Sequence, residues 1–458
     1  MSEELIISVS GMRGIIGENL NSSIACEYGI GFGTFLKKSV GDKGGRLKVC
    51  IGRDSRPSGE MLISAVTAGL CAVGIDVVDL GIVSTPCVGI MLRELECAGG
   101  VVITASHNPI AYNGIKLLLG NGIAPGPGQA EEIKRYYFEK EFAYVDSVNC
   151  GGVSFNEETD AIHIAKVMGI TKADAVVGKK FKVVLDPVNG AGGRITKKML
   201  AELGCEVVAI NDEPTGLFAH TPEPTAANLG ELCEVVKREK ADVGFAQDPD
   251  ADRLAIVDEN GDYIGEEFTL ALAAKYIYGT KKGDAAVNLS TSRMIDDIAK
   301  KAGGKVYRTA VGEANVAAAM VEHECIIGGE GNGGVIDLRV GPVRDSLVAI
   351  GLVTSLMAES GKAVSELALE VGGYYMIKDK FRADKKLAGR IIDSAKEIFA
   401  GAECDITDGC RFDFEDGWLH LRTSNTEPIM RVMAEAKSEA AAAEYVERVL
   451  SIRDKIMG

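Results

Sequence analysis

Three times along the chain, a short run of aliphatic and β-branched residues gives way to a segment of helical period and then to another such run. In the first round "RLKVCIG" and "IDVVDLG" read as strands around the helical "SGEMLISAVTAGLCAVG", with Ser58 as its cap and Gly74 as its stop; the helix "STPCVGIMLRELE" and the strand "GGVVITA" follow. The second round runs "FKVVLDPVNGAGG", "ITKKMLAELG", "CEVVAIND", "NLGELCEVVKREK", "ADVGFAQ". The third passes through the hairpin-like "RLAIVDENGDYIG", the helix "EEFTLALAAKYIYG" and "DAAVNLS" to the strands "GKVYRTA" and "CIIGG". Such alternation specifies sheets with helices on their faces. At 458 residues the chain needs several cores rather than one.

From about Gly372 the rhythm changes. Alternating strands at "RFDFED" and "GWLHLRTS", with helices at "KLAGRIIDSAKEIFA" and "AAAAEYVERVLSIRDKI", predict a small α+β domain. The expected architecture is α/β: three consecutive mixed α/β sheet domains at 1–152, 153–255 and 256–370, then a C-terminal α+β domain at 371–458.

Charge narrows the partners. Lys+Arg 50 against Asp+Glu 66 gives a net charge of −16, so nucleic acid is not an expected partner, and an anionic ligand must be met by local cation clusters. The start "MSEELIISVSG" lacks a basic region ahead of a long apolar core, and no apolar run has the length of a membrane span. Eleven cysteines without metal-type pairing sit mostly in apolar patterns, which predicts reduced, buried thiols and a cytoplasmic location.

In each round the last strand runs into an unusual polar loop: "ASHNP" after "VVIT", "DPDADR" after "VGFAQ", "GEGNGG" after "CIIG". Ligands of open α/β sheets sit at the carboxyl ends of strands. Asp248, Asp250 and Asp252 repel one another and suit a hard divalent cation, Mg²⁺ or Ca²⁺, although a solvated acidic turn is the alternative. Glu259 completes EF-hand spacing, but Arg253 stands where that loop requires glycine and strands replace the flanking helices. Arg253 beside the carboxylates suits a phosphate instead. "GEGNGG" matches a dinucleotide pattern, yet strand-like "VIDLRV" follows it, so no helix dipole faces a pyrophosphate. Glu330 and Asn332 fit sugar hydroxyls better; a tightly packed turn is the alternative. "RTSNTEPIMR" offers donors for a phosphate, or is an exposed polar turn. Ser106 is open to three readings: nucleophile, cap or turn residue. Without GxSxG, acyl transfer has no support, and a phosphoryl-carrying serine fits the neighbouring loops better. His107 is adjacent to it, and Lys116 and Arg13 are the cations expected nearby.

"TASHNP" with "NGIK", "DPDADR", "GEGNGG" and "RTSNTEP", in that order, closely resembles the α-D-phosphohexomutase superfamily. "VSGMRGIIGENL" and "GRDSRPSG" are similar to two further segments of it. The resemblance implies four domains around a central active-site cleft. It implies Ser106 as phosphoserine and Asp248, Asp250 and Asp252 binding Mg²⁺ together with a Ser106 phosphoryl oxygen. Glu330 and Asn332 would contact sugar hydroxyls, with Arg308 approaching the substrate. Arg422, Ser424, Asn425, Thr426 and Arg431 would hold the phosphate that is not reacting. Arg13 and Lys116 fall where proton transfer and charge stabilisation are assisted, with His107 beside them. The activity implied is interconversion of hexose 6-phosphate and hexose 1-phosphate through a hexose 1,6-bisphosphate, with glucosamine phosphate first and mannose or glucose phosphates as the alternative. A non-catalytic sugar-phosphate-binding protein and a one-way phosphatase are the other readings, and a monomer or homodimer is expected. Two departures matter: "NGG" stands where many relatives have "SGH", and "AVGEANV" carries Glu313 where histidine is frequent, so no histidine role transfers there.

Overall fold

The computed structural model describes residues 5–9, 11–41, 45–423 and 429–457. The chain divides into two compact units, Met1–Thr269 with Gly333–Ser365, and Leu270–Asn332 with Glu366–Gly458.

The first unit holds two mixed sheets. The larger has seven strands in the order Ile6–Ser8, Gly11–Ile15, Tyr112–Leu119, Gly99–Ile103, Lys48–Arg53, Asp76–Ile82, Val153–Phe155. Its last four strands are parallel, while Tyr112–Leu119 runs antiparallel to Gly99–Ile103. Gly99–Ile103 is buried throughout, which explains why it reads as an unbroken apolar run. The smaller sheet runs Leu254–Val257, Val243–Gln247, Lys182–Asp186, Glu206–Ala209, again with one antiparallel strand beside the central parallel one. The Ser106 loop and the aspartate loop are thus the same connection in two sheets, each leaving a central parallel strand for an antiparallel neighbour.

Tyr112–Leu119, which carries Lys116 of "NGIK", is a strand that follows the Ser106 loop. Two expectations are corrected here. Val153–Phe155 pairs with Asp76–Ile82, so the first sheet continues past the boundary expected at residue 152. Ser58 precedes the helix Gly59–Ala72 but makes no capping bond; its hydroxyl accepts from Asn113 Nδ2 at 2.9 Å.

Among the described residues no single helix is long and apolar enough to cross a membrane. The apolar helix Ser346–Ser360 is buried at every residue from Ser346 to Ala358 and is a core helix. Asp345 caps it, accepting from Leu347 N at 2.8 Å with one carboxylate oxygen and facing His163 Nε2 at 2.6 Å with the other. Burial of His163 opposes its charge, but the Asp345 carboxylate outweighs burial and lifts the imidazole to about 10. A folded value above the unfolded one of about 6.5 means the pair contributes fully below that pH and loses its contribution as pH rises through about 10. Thermal melts of His163→Leu should show a loss of about 3–5 kcal/mol at pH 6 that narrows towards pH 10. A gap that widens with pH would refute this.

In the second unit the parallel strands Val306–Thr309, Ala285–Asn288 and Ile327–Glu330 lie side by side, with Ala285–Asn288 in the middle. The C-terminal sheet is antiparallel throughout, in the order Tyr375–Arg382, Ile429–Ala436, Gly417–Thr423, Cys410–Asp413, Glu403–Asp405. Helices Lys385–Ile398 and Glu439–Met457 cover it over a core that includes Phe412, Leu419, Val432 and Val449. A buried polar cluster joins these two sheets: Trp418 Nε1 donates to Glu435 at 2.7 Å, Arg411 lies over the Trp418 ring and donates to Leu289 O, and Arg293 donates to Asp413 at 2.9 Å. All eleven cysteines are free. Cys150 and Cys404 are exposed, contrary to the expectation of buried thiols, because they lie on a surface turn and an edge strand.

Candidate active site

The chain reaches Ser106 through Thr104, whose hydroxyl accepts from Ser106 N at 2.9 Å. Ser106 takes a left-handed backbone, φ 50°, which is costly for a residue with a β-carbon and is sustained only by surrounding contacts. A strand, not a helix, follows, so the cap reading falls away. The residue is 3% exposed. Its Oγ donates to Asp248 Oδ2 at 3.0 Å and lies 3.3 Å from His107 Nδ1. The strand-end loops of the two sheets therefore meet at the serine.

Asp248, Asp250 and Asp252 are fully buried, and one oxygen from each lies within 4.8 Å of the others. Asp250 Oδ2 accepts from Thr85 Oγ1 at 2.6 Å and from Lys116 Nζ at 2.7 Å. Asp252 Oδ2 accepts from Arg344 Nη2 at 2.5 Å, with Lys116 at 3.6 Å. Arg253 Nε stands 3.9 Å from Asp248 and 3.8 Å from Asp252. Oδ1 of Asp250 and Oδ1 of Asp252 are buried with no hydrogen-bond partner among the described residues. Buried carboxylate oxygens left without donors are what a hard cation would satisfy, so the residues fit a divalent metal. Burial, then the charges of Asp252 and Asp250, push Asp248 well above the usual carboxylate range. Burial acts the same way on Asp252, but Arg344, Lys116 and Arg253 outweigh it and hold that carboxyl below its ordinary value. Glu259 bonds to Ser365 instead, consistent with the rejected EF-hand.

Register places the cations. Arg13 pairs with Gly114 across Gly11–Ile15 and Tyr112–Leu119, and its Nη1 donates to Asn108 Oδ1 at 2.9 Å within the serine loop. His107 is pushed down to about 2 by burial and by Arg253 and Arg13, which leaves it a neutral ring and a poor proton acceptor. Thr85 and Arg344 belong to this site without any local sequence signal. Each comes from an element far along the chain, and only the fold brings it to the aspartates.

The second unit carries the other expected residues. Glu330 is the last residue of the strand Ile327–Glu330 rather than part of a loop, and is buried. Its Oε1 accepts from Asn288 Nδ2 at 2.7 Å and Gly312 N at 3.2 Å; Asn332 Nδ2 lies 3.5 Å from Oε2. Arg308 lies in the strand Val306–Thr309, where "GKVYRTA" predicts one; it donates to Asp296 at 2.5 Å and to the carbonyls of Asn288 and Thr291. Asp408 links the two halves of this unit, accepting from Val311 N at 3.0 Å and pairing with Arg422 at 3.4 Å. Arg422 and Arg431 are direct cross-strand partners. Like charges in that relation are unfavourable unless an anion lies between them. Ser424, Asn425 and Thr426 lie outside the described residues.

The chain matches the four phosphoglucomutase/phosphomannomutase domain models in order: α/β/α domain I over 5–144, domain II over 161–261, domain III over 265–372 and the C-terminal domain over 377–452. A phosphoglucomutase/phosphomannomutase of Thermococcus kodakarensis is 39% identical over 98% of each chain. A protein of Methanopyrus kandleri named as a probable phosphoglucosamine mutase is 36% identical, over 97% of this chain and 96% of its own. A crystal structure of a phosphoglucomutase/phosphomannomutase family protein from Burkholderia thailandensis superposes with a TM-score of 0.85 at 27% identity, covering 98% of each chain. The Aspergillus fumigatus N-acetylphosphoglucosamine mutase, crystallised with GlcNAc-6P and magnesium, shares the fold at a TM-score of 0.61 and 15% identity, over 98% of this chain and 95% of its own. Four domains in order and identity above one third over nearly the full length leave one conclusion: the chain belongs to the phosphoglucomutase/phosphomannomutase family of phosphohexomutases.

Proposed function

We propose that this chain interconverts glucosamine 6-phosphate and glucosamine 1-phosphate through a phosphoryl group carried on Ser106 and a bisphosphorylated sugar. The observation that carries the reading is the Ser106 hydroxyl, buried and 3.0 Å from Asp248 in a nest of three carboxylates, two of which, Asp250 and Asp252, keep an oxygen without a hydrogen-bond partner among the described residues. Asp248, Asp250 and Asp252 would hold Mg²⁺. When bound, the cation neutralises charge on the transferring phosphoryl group.

In the first transfer the Ser106 Oγ–P bond breaks and a new P–O bond forms on a sugar hydroxyl, whose proton is returned to Ser106 Oγ. The bisphosphate reverses end for end, and the second transfer restores the phosphoserine and releases the isomeric monophosphate. Lys116 and Arg253, placed at the edge of the carboxylate nest, offset charge at the phosphoryl group, and Arg13 holds Asn108 of the serine loop. Glu330 and Asn332 would receive sugar hydroxyls, and Arg422 with Arg431 the distal phosphate. The cross-strand pairing of two guanidiniums supports that last assignment.

Glucosamine phosphate is favoured by the run of archaeal relatives bearing that name, and glucose or mannose phosphate by the Thermococcus kodakarensis relative. The test assays glucosamine, glucose and mannose 1-phosphates side by side with the matching 1,6-bisphosphate as activator. The highest kcat/KM should fall on glucosamine 1-phosphate. A preference of about tenfold for either neutral sugar, worth about 1.4 kcal/mol, would transfer the assignment to it.

A further inference from the structure

Arg56 lies in "GRDSRPSG", is entirely buried, and makes no contact with the three aspartates by hydrogen bond or ion pair. All five N–H groups of its guanidinium are nonetheless used. Nε donates to Asp54 Oδ2 at 3.0 Å. Nη2 donates to Ser106 O and to Asn108 O, both at 2.7 Å, and Nη1 to Pro109 O at 2.8 Å and Tyr112 O at 3.1 Å. Four carbonyls of one short loop thus converge on a single side chain. Asp54 orients that side chain, and through Thr104, whose hydroxyl donates to Asp54 Oδ2 at 2.7 Å, it also reaches the amide of Ser106. The Phe218 ring lies 4.9 Å from the guanidinium carbon. Phe218 is brought there by the turn at Gly216, where φ is 67° and a β-carbon would strike Ser55 O at 2.3 Å.

We propose that Arg56 is the positioning residue that holds the Ser106 loop in its strained, transfer-competent conformation. The inference rests on the reading of Ser106 as the phosphoryl carrier. A left-handed serine backbone reverts to a commoner conformation unless its neighbours hold it, and the Ser106 carbonyl, on the strained residue itself, is one of the four that Arg56 fixes. In-line phosphoryl transfer tolerates little displacement of the attacking and leaving oxygens, so a loop freed by about 1 Å costs rate rather than affinity. Lysine cannot substitute: it has three donors on one atom and no plane, where the loop presents four carbonyls in a fork and an aromatic face.

The test compares wild type with Arg56→Lys and Arg56→Ala by steady-state kinetics, by hydrogen exchange over residues 104–112, and by addition of free guanidinium to Arg56→Ala. The expected result for Arg56→Lys is a kcat about 100-fold lower with KM within about threefold, together with loss of exchange protection in 104–112 but not in the strand Lys182–Asp186. Guanidinium should restore part of the Arg56→Ala rate, and ethylammonium should not. Wild-type kcat and protection in Arg56→Lys would overturn the proposal. So would a loss of activity that tracks only the folded fraction, with kcat per folded molecule unchanged. If wild type neither loads phosphate on Ser106 nor turns over a sugar phosphate, the mutase reading fails, and the exchange data alone still decide whether Arg56 holds the loop.

Discussion

Ser106→Ala should be folded and inactive, with kcat at least about 10⁴-fold below wild type for every hexose phosphate tested. The size follows from the role. A serine that only turned the chain could be truncated at little cost, since its hydroxyl makes one strong contact, to Asp248, and its backbone is held by groups that alanine retains. A serine that accepts and returns the phosphoryl group has no substitute within reach: His107 is a neutral ring, and Lys116 is committed to Asp250 and Asp252. Intact mass after incubation with glucosamine 1,6-bisphosphate should show one added phosphoryl group on wild type and none on Ser106→Ala. Retained turnover in the variant would sink the phosphoserine mechanism. An unlabelled, inactive wild type that still binds sugar phosphate would indicate a binding protein, and net phosphate release without isomerisation would indicate a phosphatase.

How far this site could be read in advance depends on how local its chemistry is. "DPDADR" was legible because three carboxylates in one short loop repel one another and call for positive charge close by, and the structure buries all three. The α/β class was legible for a similar reason: fully buried parallel strands such as Gly99–Ile103 and Val243–Gln247 write themselves as unbroken apolar runs. What could not be read was pairing at a distance. Tyr112–Leu119 gives no clear strand signal because its start, "YNGIK", is polar. Its register against Gly11–Ile15 and Gly99–Ile103 is what carries Lys116 to the aspartates and Arg13 to the serine loop. Thr85, Arg344 and Asp408 have no neighbouring pattern at all; each gains its role from a partner more than fifty residues away. Ser58 shows the converse error, a residue of capping type at a capping position whose hydroxyl is taken by Asn113.

Removal of divalent metal with EDTA should abolish turnover by about 10³-fold or more, with Mg²⁺ restoring it, and Asp250→Asn should reproduce the loss without rescue. The charges around the triad add a sharper expectation. Three carboxylates already face at least as many cationic side chains, Lys116, Arg253 and Arg344, so the unphosphorylated site is close to balanced before any metal enters. A divalent cation arriving alone would leave that site with excess positive charge. A phosphoryl group on Ser106 brings about −1.5 to −2, which the cation nearly cancels. The two should therefore bind as a coupled pair, and coupling of this kind is reciprocal. Calorimetric titration of Mg²⁺ into phosphorylated and unphosphorylated protein should show at least about tenfold tighter binding to the phosphorylated form. Ser106→Ala should match the unphosphorylated protein. Equal affinities in all three would mean that the cation is held by the aspartates alone, and that the nearby lysine and arginines do not set the charge balance of the site.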